Sequence, residues 1–529
     1  MLDLPFRPDR SRPEPVFRQL EAYLRALVEA GRLAPGTKLP ATRELAASLG
    51  LSRSTVSQAY DALVVDGSLT AHVGQGTFVA ARPTAARVPR TSHPPESGRS
   101  FAWPGLFALR ARMLELPRGM LPPKGYPPIR FDFRGGQVAT DALPVDDVRR
   151  AFARAIARSL PALAVHLDPL GWLPLRREIV RYLVARGIEC QPSDIAVVNG
   201  AQQAVDATAH ALIDPGDTVV MEQPGYFGAA LAFTACQSNL VGVGVDEQGL
   251  KTAELARVLQ ARRVKLVYTT PAAQCPTGAV MGDARRRELL ALADEYQVPI
   301  FEDDYDSELR FNGAPIPALK RLDHSGQVIH AGTFSKVLFP TLRVGFVVAA
   351  RPLLEKMVLA RVSADFATGA VPQAALAALL RSGVLARHVR RMRRLYAERQ
   401  RAMLDALARH MPAGARWSAP PGGHMLWLRL PAVDPDRVFY DAAAEGIAYT
   451  RGEVFHFDGR GTDCLALSFA NLTPPRIADG VALFAAVVRR QVAPGRRRSR
   501  SARGPGSEQR RTRRAPGDGG TVDAVGTRG

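Results

Sequence analysis

The chain has 529 residues, 46% of them apolar and 23% charged, close to the usage of soluble globular proteins. These proportions exclude a disordered, collagen-like or disulfide-stapled chain, and no run of 18 apolar residues marks a membrane-spanning helix. The net charge of +20 is concentrated, with +6 between 81 and 125, +7 from 494 onward and only +1 in 1–80, so bulk charge alone does not imply a nucleic-acid partner.

Met1 to Arg10 carry acid and proline where an export signal needs an apolar core, so a cytoplasmic location is expected. Cys190, Cys236, Cys275 and Cys464 lie far apart with no CxxC pair. They read as reduced thiols, with neither a disulfide framework nor a metal site.

In chain order, a compact unit is expected over 10–80. A helical period runs through Phe17, Leu20, Leu24, Leu27 and Val28, and a Leu-Ala-Pro-Gly break follows at 33–36. A short helix is predicted over Thr42 to Leu49, closed by Gly50, and a third over about Arg53 to Asp66 with Ser52 as its N-cap. LTAHV, a Gly-Gln-Gly turn and TFVA then read as a hairpin. Residues 81–125, rich in Pro and Arg, read as a linker with a helical island from Phe107 to Leu116. From 126 to 493 short apolar runs alternate with amphipathic helices, which predicts parallel strands covered on both faces. The tail, 494–529, is basic and lacks apolar periodicity, so it is expected to be disordered.

Two short helices, a tight turn and a hairpin describe a winged helix-turn-helix, mostly α with a β wing. In its third helix Val56, Ala59, Tyr60 and Leu63 share one face. Arg53, Ser54, Thr55, Ser57 and Gln58 are left to meet base edges, where Arg pairs with guanine and Gln with adenine. Arg43 is placed to clamp a phosphate. Gly74 and Gln75 form a wing tip that allows close backbone approach to a groove.

In GTFSKVLFPTLRVG (332–345), Lys336 follows a strand within a small-residue loop, and Arg343 comes seven residues later. A lysine forms a Schiff base with a carbonyl cofactor, and Thr333, Ser335 and Arg343 supply hydroxyls and charge for a phosphate. A lone lysine beside an arginine is otherwise a solvated loop. FEDDYDSE (301–308) places Asp303 and Tyr305 on one side of a strand end, an anion and a donor for a pyridine ring. The same acids would otherwise cap a helix. NGAQQA (199–204) passes from strand to helix with Ala201 and Gln202 at the helix mouth, a natural phosphate seat. EQPGYFG (222–228) offers Tyr226 for stacking on a ring, or as a core aromatic.

PVFRQL, GRLAPGTKLPATRELAASLGLSRSTVSQAYDALVVDGSL and GQGTFV together resemble the GntR-type winged-helix domain almost end to end, with Ala41 where Ser is usual. The segments of the body, in this order and spacing, resemble fold-type I, class I aminotransferases, an α/β fold with large and small subdomains. The fusion points to the MocR (GabR-like) regulators, over about 14–80 and 126–490. That resemblance implies pyridoxal 5'-phosphate on Lys336 as Schiff base, with Asp303 at the ring nitrogen, Tyr305 at the phenolic oxygen and Tyr226 stacked on the ring. Ala201, Gln202, Thr333, Ser335 and Arg343 would hold the phosphate. It further implies a head-to-tail homodimer, operator DNA as partner, and a small amine, amino acid or the cofactor itself as effector.

Four positions depart from the aminotransferase pattern. Cys275 stands where catalytic members have Asn, and His166 where they have a Tyr that reaches the partner's phosphate. Ala466 stands where a strand Arg clamps the substrate carboxylate, and Gly228 where a second Arg sometimes lies. Arg451, in the loop before Glu453, is expected as an exposed loop residue, the alternative being a substitute for the missing clamp. Without a bidentate carboxylate partner, sensing is expected rather than turnover, and a working aminotransferase with an accessory reader is the alternative.

Overall fold

The computed structural model describes residues 6, 8–9, 14–29, 32–65, 68–72, 76–80, 106–117, 119–120, 123, 125–164, 168–314 and 316–492. Arg10, Gly74, Gln75, His166, the linker stretch 81–105 and the tail 494–529 lie outside the described residues. The chain divides into two compact units, 1–106 and 107–529.

The first unit contains α1 (Val16–Glu29), α2 (Thr42–Leu49) and α3 (Arg53–Val65). An antiparallel hairpin of β1 (Leu69–His72) and β2 (Gly76–Val79) follows, with Leu69 opposite Val79. Its core joins Leu20 and Leu24 of α1 to Leu45 of α2 and to Val56, Ala59, Tyr60 and Leu63 of α3, all buried. Each buried Val or Leu contributes about 1.5–3 kcal/mol relative to exposure. Gly50, left-handed at φ 63°, closes α2 and donates its N–H to the Ala46 carbonyl. The Ser52 hydroxyl accepts the Thr55 N–H at 3.1 Å, so α3 starts where its N-cap predicts. Tyr60 donates to the Pro40 carbonyl at 3.0 Å, pinning α3 to the loop before α2.

The second unit opens with a short helix, Leu109–Met113, inside the expected 107–116 island. After β3 (Phe131–Asp132), its large sheet is built from β4 (Ile195–Val198), β5 (Thr218–Gln223), β6 (Asn239–Asp246), β7 (Gly249–Leu250), β8 (Val264–Thr269), β9 (Ile300–Asp304), β10 (Val328–Thr333) and β11 (Gly345–Val348). The strand order is β4-β11-β10-β9-β8-β5-β6-β7. The five strands from β10 to β6 are parallel, and β9, β10 and β11 are buried along their whole length, as a sheet covered on both faces requires. β11 runs antiparallel to both neighbours, a departure from the all-parallel expectation. The reason is local: only a loop with a 3-10 turn at Pro340–Leu342 separates β10 from β11, whereas a parallel return needs a crossover.

A long helix, Val384–His410, leads into the small subdomain, where it packs on the helix Pro474–Val492. The sheet there joins β12 (Arg416–Trp417), β13 (Met425–Arg429), β15 (Thr450–Arg451) and β16 (Cys464–Ser468) in the order β12-β13-β16-β15, all antiparallel. β14 (Ile447–Ala448) pairs in parallel with β3. Among the described residues no helix is long and apolar enough to cross a membrane.

Candidate functional site

The carboxyl ends of β9 and β10 lie side by side, the place where open α/β sheets bind ligands. Alternation along β9 sends its acids two ways. Asp303 turns to one face, where its Oδ2 accepts the Tyr268 hydroxyl at 2.8 Å and its Oδ1 is buried without a partner. Burial pushes this carboxyl up to about 7, with the Tyr268 hydrogen bond pulling the other way. Glu302 and Asp304 turn to the other face, flanking buried His330 at 2.8 and 3.8 Å, and Arg186 holds Asp304 at 2.8 Å.

Lys336 lies three residues beyond β10, partly buried, and burial lowers the pKa of its amine. The carboxyls of Asp306 and Asp303 act the other way and favour its charged form. Asp306 is itself buried, with Oδ2 2.8 Å from His424 Nδ1 and Oδ1 unpartnered. The acidic run 301–308 signalled Asp306; nothing in the sequence singled out His424, Tyr268 or Arg186. Buried Glu222 was also missed. It accepts from Thr269, Thr270 and Gln274, and the Thr270 hydroxyl in turn accepts the Cys275 N–H at 3.0 Å, which fixes the turn that presents Cys275.

A cradle forms at the carboxyl end of β10. The helix Ala201–Leu212 begins at Gly200, whose φ of 87° suits glycine. The N–H groups of Ala201 and Gln202 belong to its first turn, which has no carbonyl of its own to bond. Arg343, left-handed at φ 52°, bonds the Asn199 carbonyl, and a Cβ on Gly200 would lie 3.3 Å from its guanidinium. Thr333 pairs with Gly345 at the carboxyl end of β10, and its hydroxyl donates to Ser335 Oγ at 3.0 Å. Gln202 donates to the Gly228 carbonyl at 2.8 Å while its Oε1 stays buried and unpartnered.

Tyr226 and Tyr305 both pack against an apolar cluster of Cys275, Met425, Val454, Phe455 and Ala466. Burial raises the Tyr226 hydroxyl, which also feels Asp303 and Arg343, so the predicted ring and phosphate residues converge on one place. Three of the departures meet there too. Burial pushes the Cys275 thiol up to about 12, and Ala466 is wholly buried. A Cβ on Gly228 would lie 2.4 Å from Gln202 Oε1 and 2.6 Å from the Tyr226 hydroxyl, so a side chain there would require both to shift. Arg451 corrects the expectation of an exposed loop residue. It is 8% exposed, paired with Glu453 at 2.7 Å and Asp436 at 2.6 Å, because acids on both sides of a strand end offset its desolvation.

In the first unit Arg43, Arg53, Ser54 and Gln58 are exposed, and Thr55 and Ser57 are partly so. The Ser52 hydroxyl lies 2.8 Å from those of both Ser54 and Thr55, and Ser57 donates to Asp61 at 3.5 Å. Among the described residues this leaves Arg53 and Gln58 as the long donors of the helix face without a hydrogen bond.

The GntR family of bacterial regulatory proteins matches residues 17–79, and the class I and II aminotransferases match 131–482. A probable rhizopine catabolism regulatory protein MocR of Rhizobium meliloti is 36% identical over 89% of this chain and 94% of its own length. The chain belongs to the MocR-type GntR regulators. The HTH-type transcriptional regulator TauR of Rhodobacter capsulatus is 33% identical over 87% of this chain and 94% of its own. The crystal structure of LysN, an alpha-aminoadipate aminotransferase from Thermus thermophilus complexed with N-(5'-phosphopyridoxyl)-L-leucine, matches the MocR-type body. Its TM-score is 0.69 at 31% identity, over 74% of this chain and 99% of that one. As a MocR-type protein the chain is a transcriptional regulator whose reader is fused to an aminotransferase-like body.

Proposed function

We propose that the body of this regulator holds pyridoxal 5'-phosphate at Lys336 and senses the cofactor or an amine that reacts with it, rather than running transamination. The observation that carries the reading is the convergence of Lys336, Asp303, Tyr226, Tyr305 and the Ala201–Arg343 cradle on one site whose carboxylate-clamp positions are Ala466 and Gly228. The residues fit the cofactor, because Asp303 Oδ1 is a buried acceptor that awaits a donor such as a protonated ring nitrogen.

Pyridoxal phosphate, when bound, supplies an aldehyde that condenses with primary amines and a ring that accepts electrons. Burial keeps more of the Lys336 amine neutral, hence nucleophilic. Asp303 would hold a proton at the ring nitrogen, and Tyr305 would donate to the phenolic oxygen. Tyr226 would cover the ring and exclude water. Arg343, the hydroxyls of Thr333 and Ser335 and the first-turn N–H groups would bind the phosphate. An effector would then be gripped by its amine and by the apolar cluster around Cys275 and Ala466, with no arginine on its carboxylate.

The reader supports operator binding in the cytoplasm by a head-to-tail homodimer, since Arg53 and Gln58 of one copy reach few base pairs. Effector binding must favour one dimer arrangement over another to change operator affinity. The test is an operator gel shift of the cofactor-loaded protein against amines and α-amino acids. Uncarboxylated amines should shift operator affinity at least tenfold and Lys336→Ala should abolish the response. Sustained turnover of an amino acid with a keto acid would favour the aminotransferase reading.

A further inference from the structure

A second recess, lined by none of the cradle residues, lies between the end of the helix Leu173–Val184, residues of the stretch 307–321 and the first turns of the helix Val384–His410, with a volume of about 1040 Å³. Its described lining holds eight arginines and two glutamates, so its charge is strongly positive. The two acids are already engaged. Glu178 takes Arg181 at 2.7 Å and Arg381 at 2.9 Å, and Glu308 lies 3.5 Å from Arg186. Among the described residues no carboxylate pairs with Arg310, Arg321, Arg390 or Arg394.

Arg310 is the informative member. Its Nε and Nη1 are buried without any hydrogen-bond partner, and desolvation lowers its pKa. Arg310 itself is only partly buried, and two guanidinium nitrogens shielded from water without a partner mark a place where an anion's oxygens can bond. Arg390, Arg393 and Arg394 fall at i, i+3 and i+4 on one helix face and project toward the same recess, with Arg393 anchored on the Glu308 carbonyl at 2.5 Å. Phe311, Leu385 and Val389 add an apolar wall. A DNA backbone meets arginines that project from an open surface, whereas Arg310 sits in a recess with apolar sides, a shape that suits a small organic ligand.

We infer that this cleft is a second ligand site, for a small organic polyanion with two or more phosphate or carboxylate oxygens. Its occupancy would reach the cofactor site through Arg186, which bridges Glu308 to Asp304, the neighbour of Asp303 on β9.

The test is calorimetric titration of the full-length, cofactor-loaded protein with pyrophosphate and, separately, citrate, at about 0.15 M salt, where surface charge is screened. Binding of either probe at one site per chain is expected. Arg310→Gln and Arg393→Gln should each weaken it about tenfold or more, as for a lost charge-assisted hydrogen bond. The exposed Arg390→Gln should weaken it about threefold with an unchanged melting curve, which guards against a mere folding defect. Equal affinity in all variants would overturn the proposal. So would binding that disappears once pyridoxal phosphate is loaded, which would move the anion to the Ala201–Arg343 cradle. Variants that bind neither probe differently but lose operator affinity would assign the arginines to DNA and equally overturn it.

Discussion

Tyr268 donates its hydroxyl to Oδ2 of Asp303 at 2.8 Å and leaves Oδ1 of the same carboxylate buried with no partner. Half of the carboxylate is thus fixed by the fold, and the other half is left without a donor, the half assigned to the ring nitrogen in the proposed function. The Asp303 carboxyl, raised to about 7 by burial, binds its proton more tightly in the folded than in the unfolded chain. Its cost to stability is absent below about pH 4, grows as pH rises through 7 and is complete above it. In the cofactor-free protein Asp303→Asn should therefore melt higher than the parent at pH 8, by a margin on the order of a few kcal/mol that closes near pH 4–5. Tyr268→Phe removes a bond that favours the charged form and should enlarge the alkaline penalty. Circular dichroism melts across this range would check both, and an Asp303→Asn protein less stable at every pH would contradict the assignment.

Gly228→Ala places a methyl group against Gln202 Oε1 and the Tyr226 hydroxyl. The ring and the amide must shift, so affinity for pyridoxal phosphate should fall about tenfold, worth roughly 1.4 kcal/mol. Operator binding by the cofactor-free protein should be unchanged. Absorbance titration and a gel shift, read together, separate the two.

In the reader, Ala41 precedes α2 without a side-chain cap, while Glu44 still accepts the Ala41 N–H at 3.2 Å. Ala41→Ser should complete this capping box and stabilise the protein's first unit by about 0.5–1 kcal/mol. Ser52→Ala should cost about 1 kcal/mol by removing the cap on Thr55. Denaturant titration of each variant gives the comparison.

Arg53→Ala and Gln58→Ala should each relax base preference at one operator position, at a cost of roughly 1–3 kcal/mol on the preferred site. Arg43→Ala should instead weaken all sequences alike and reduce the salt slope by about 1. Binding to a panel of single-base operator variants at two salt concentrations distinguishes these outcomes.

Local signals made the reader legible. The face Val56, Ala59, Tyr60, Leu63, the Ser52 cap and the Gly50 stop all depend on residues within a few positions, and each stands where it was expected. Lys336 and Asp303 stand out in the sequence because one follows and the other lies near the end of a strand of marked composition. Their supporting contacts do not. Asp306 meets His424 across 118 residues and Tyr268 reaches Asp303 from the neighbouring strand, pairings that only the sheet order creates. Arg451 was misjudged because one of its acids, Asp436, belongs to a different element, the helix Pro435–Ala444. The reversed β11 escaped notice because apolar runs carry no mark of strand direction.

The most direct measurement is borohydride reduction of the full-length protein with pyridoxal phosphate, followed by digestion and mass spectrometry. The sensor account predicts a pyridoxyl adduct on the peptide bearing Lys336 and none in Lys336→Ala. No adduct, or one spread over the chain's other lysines with that peptide unlabelled, would contradict it.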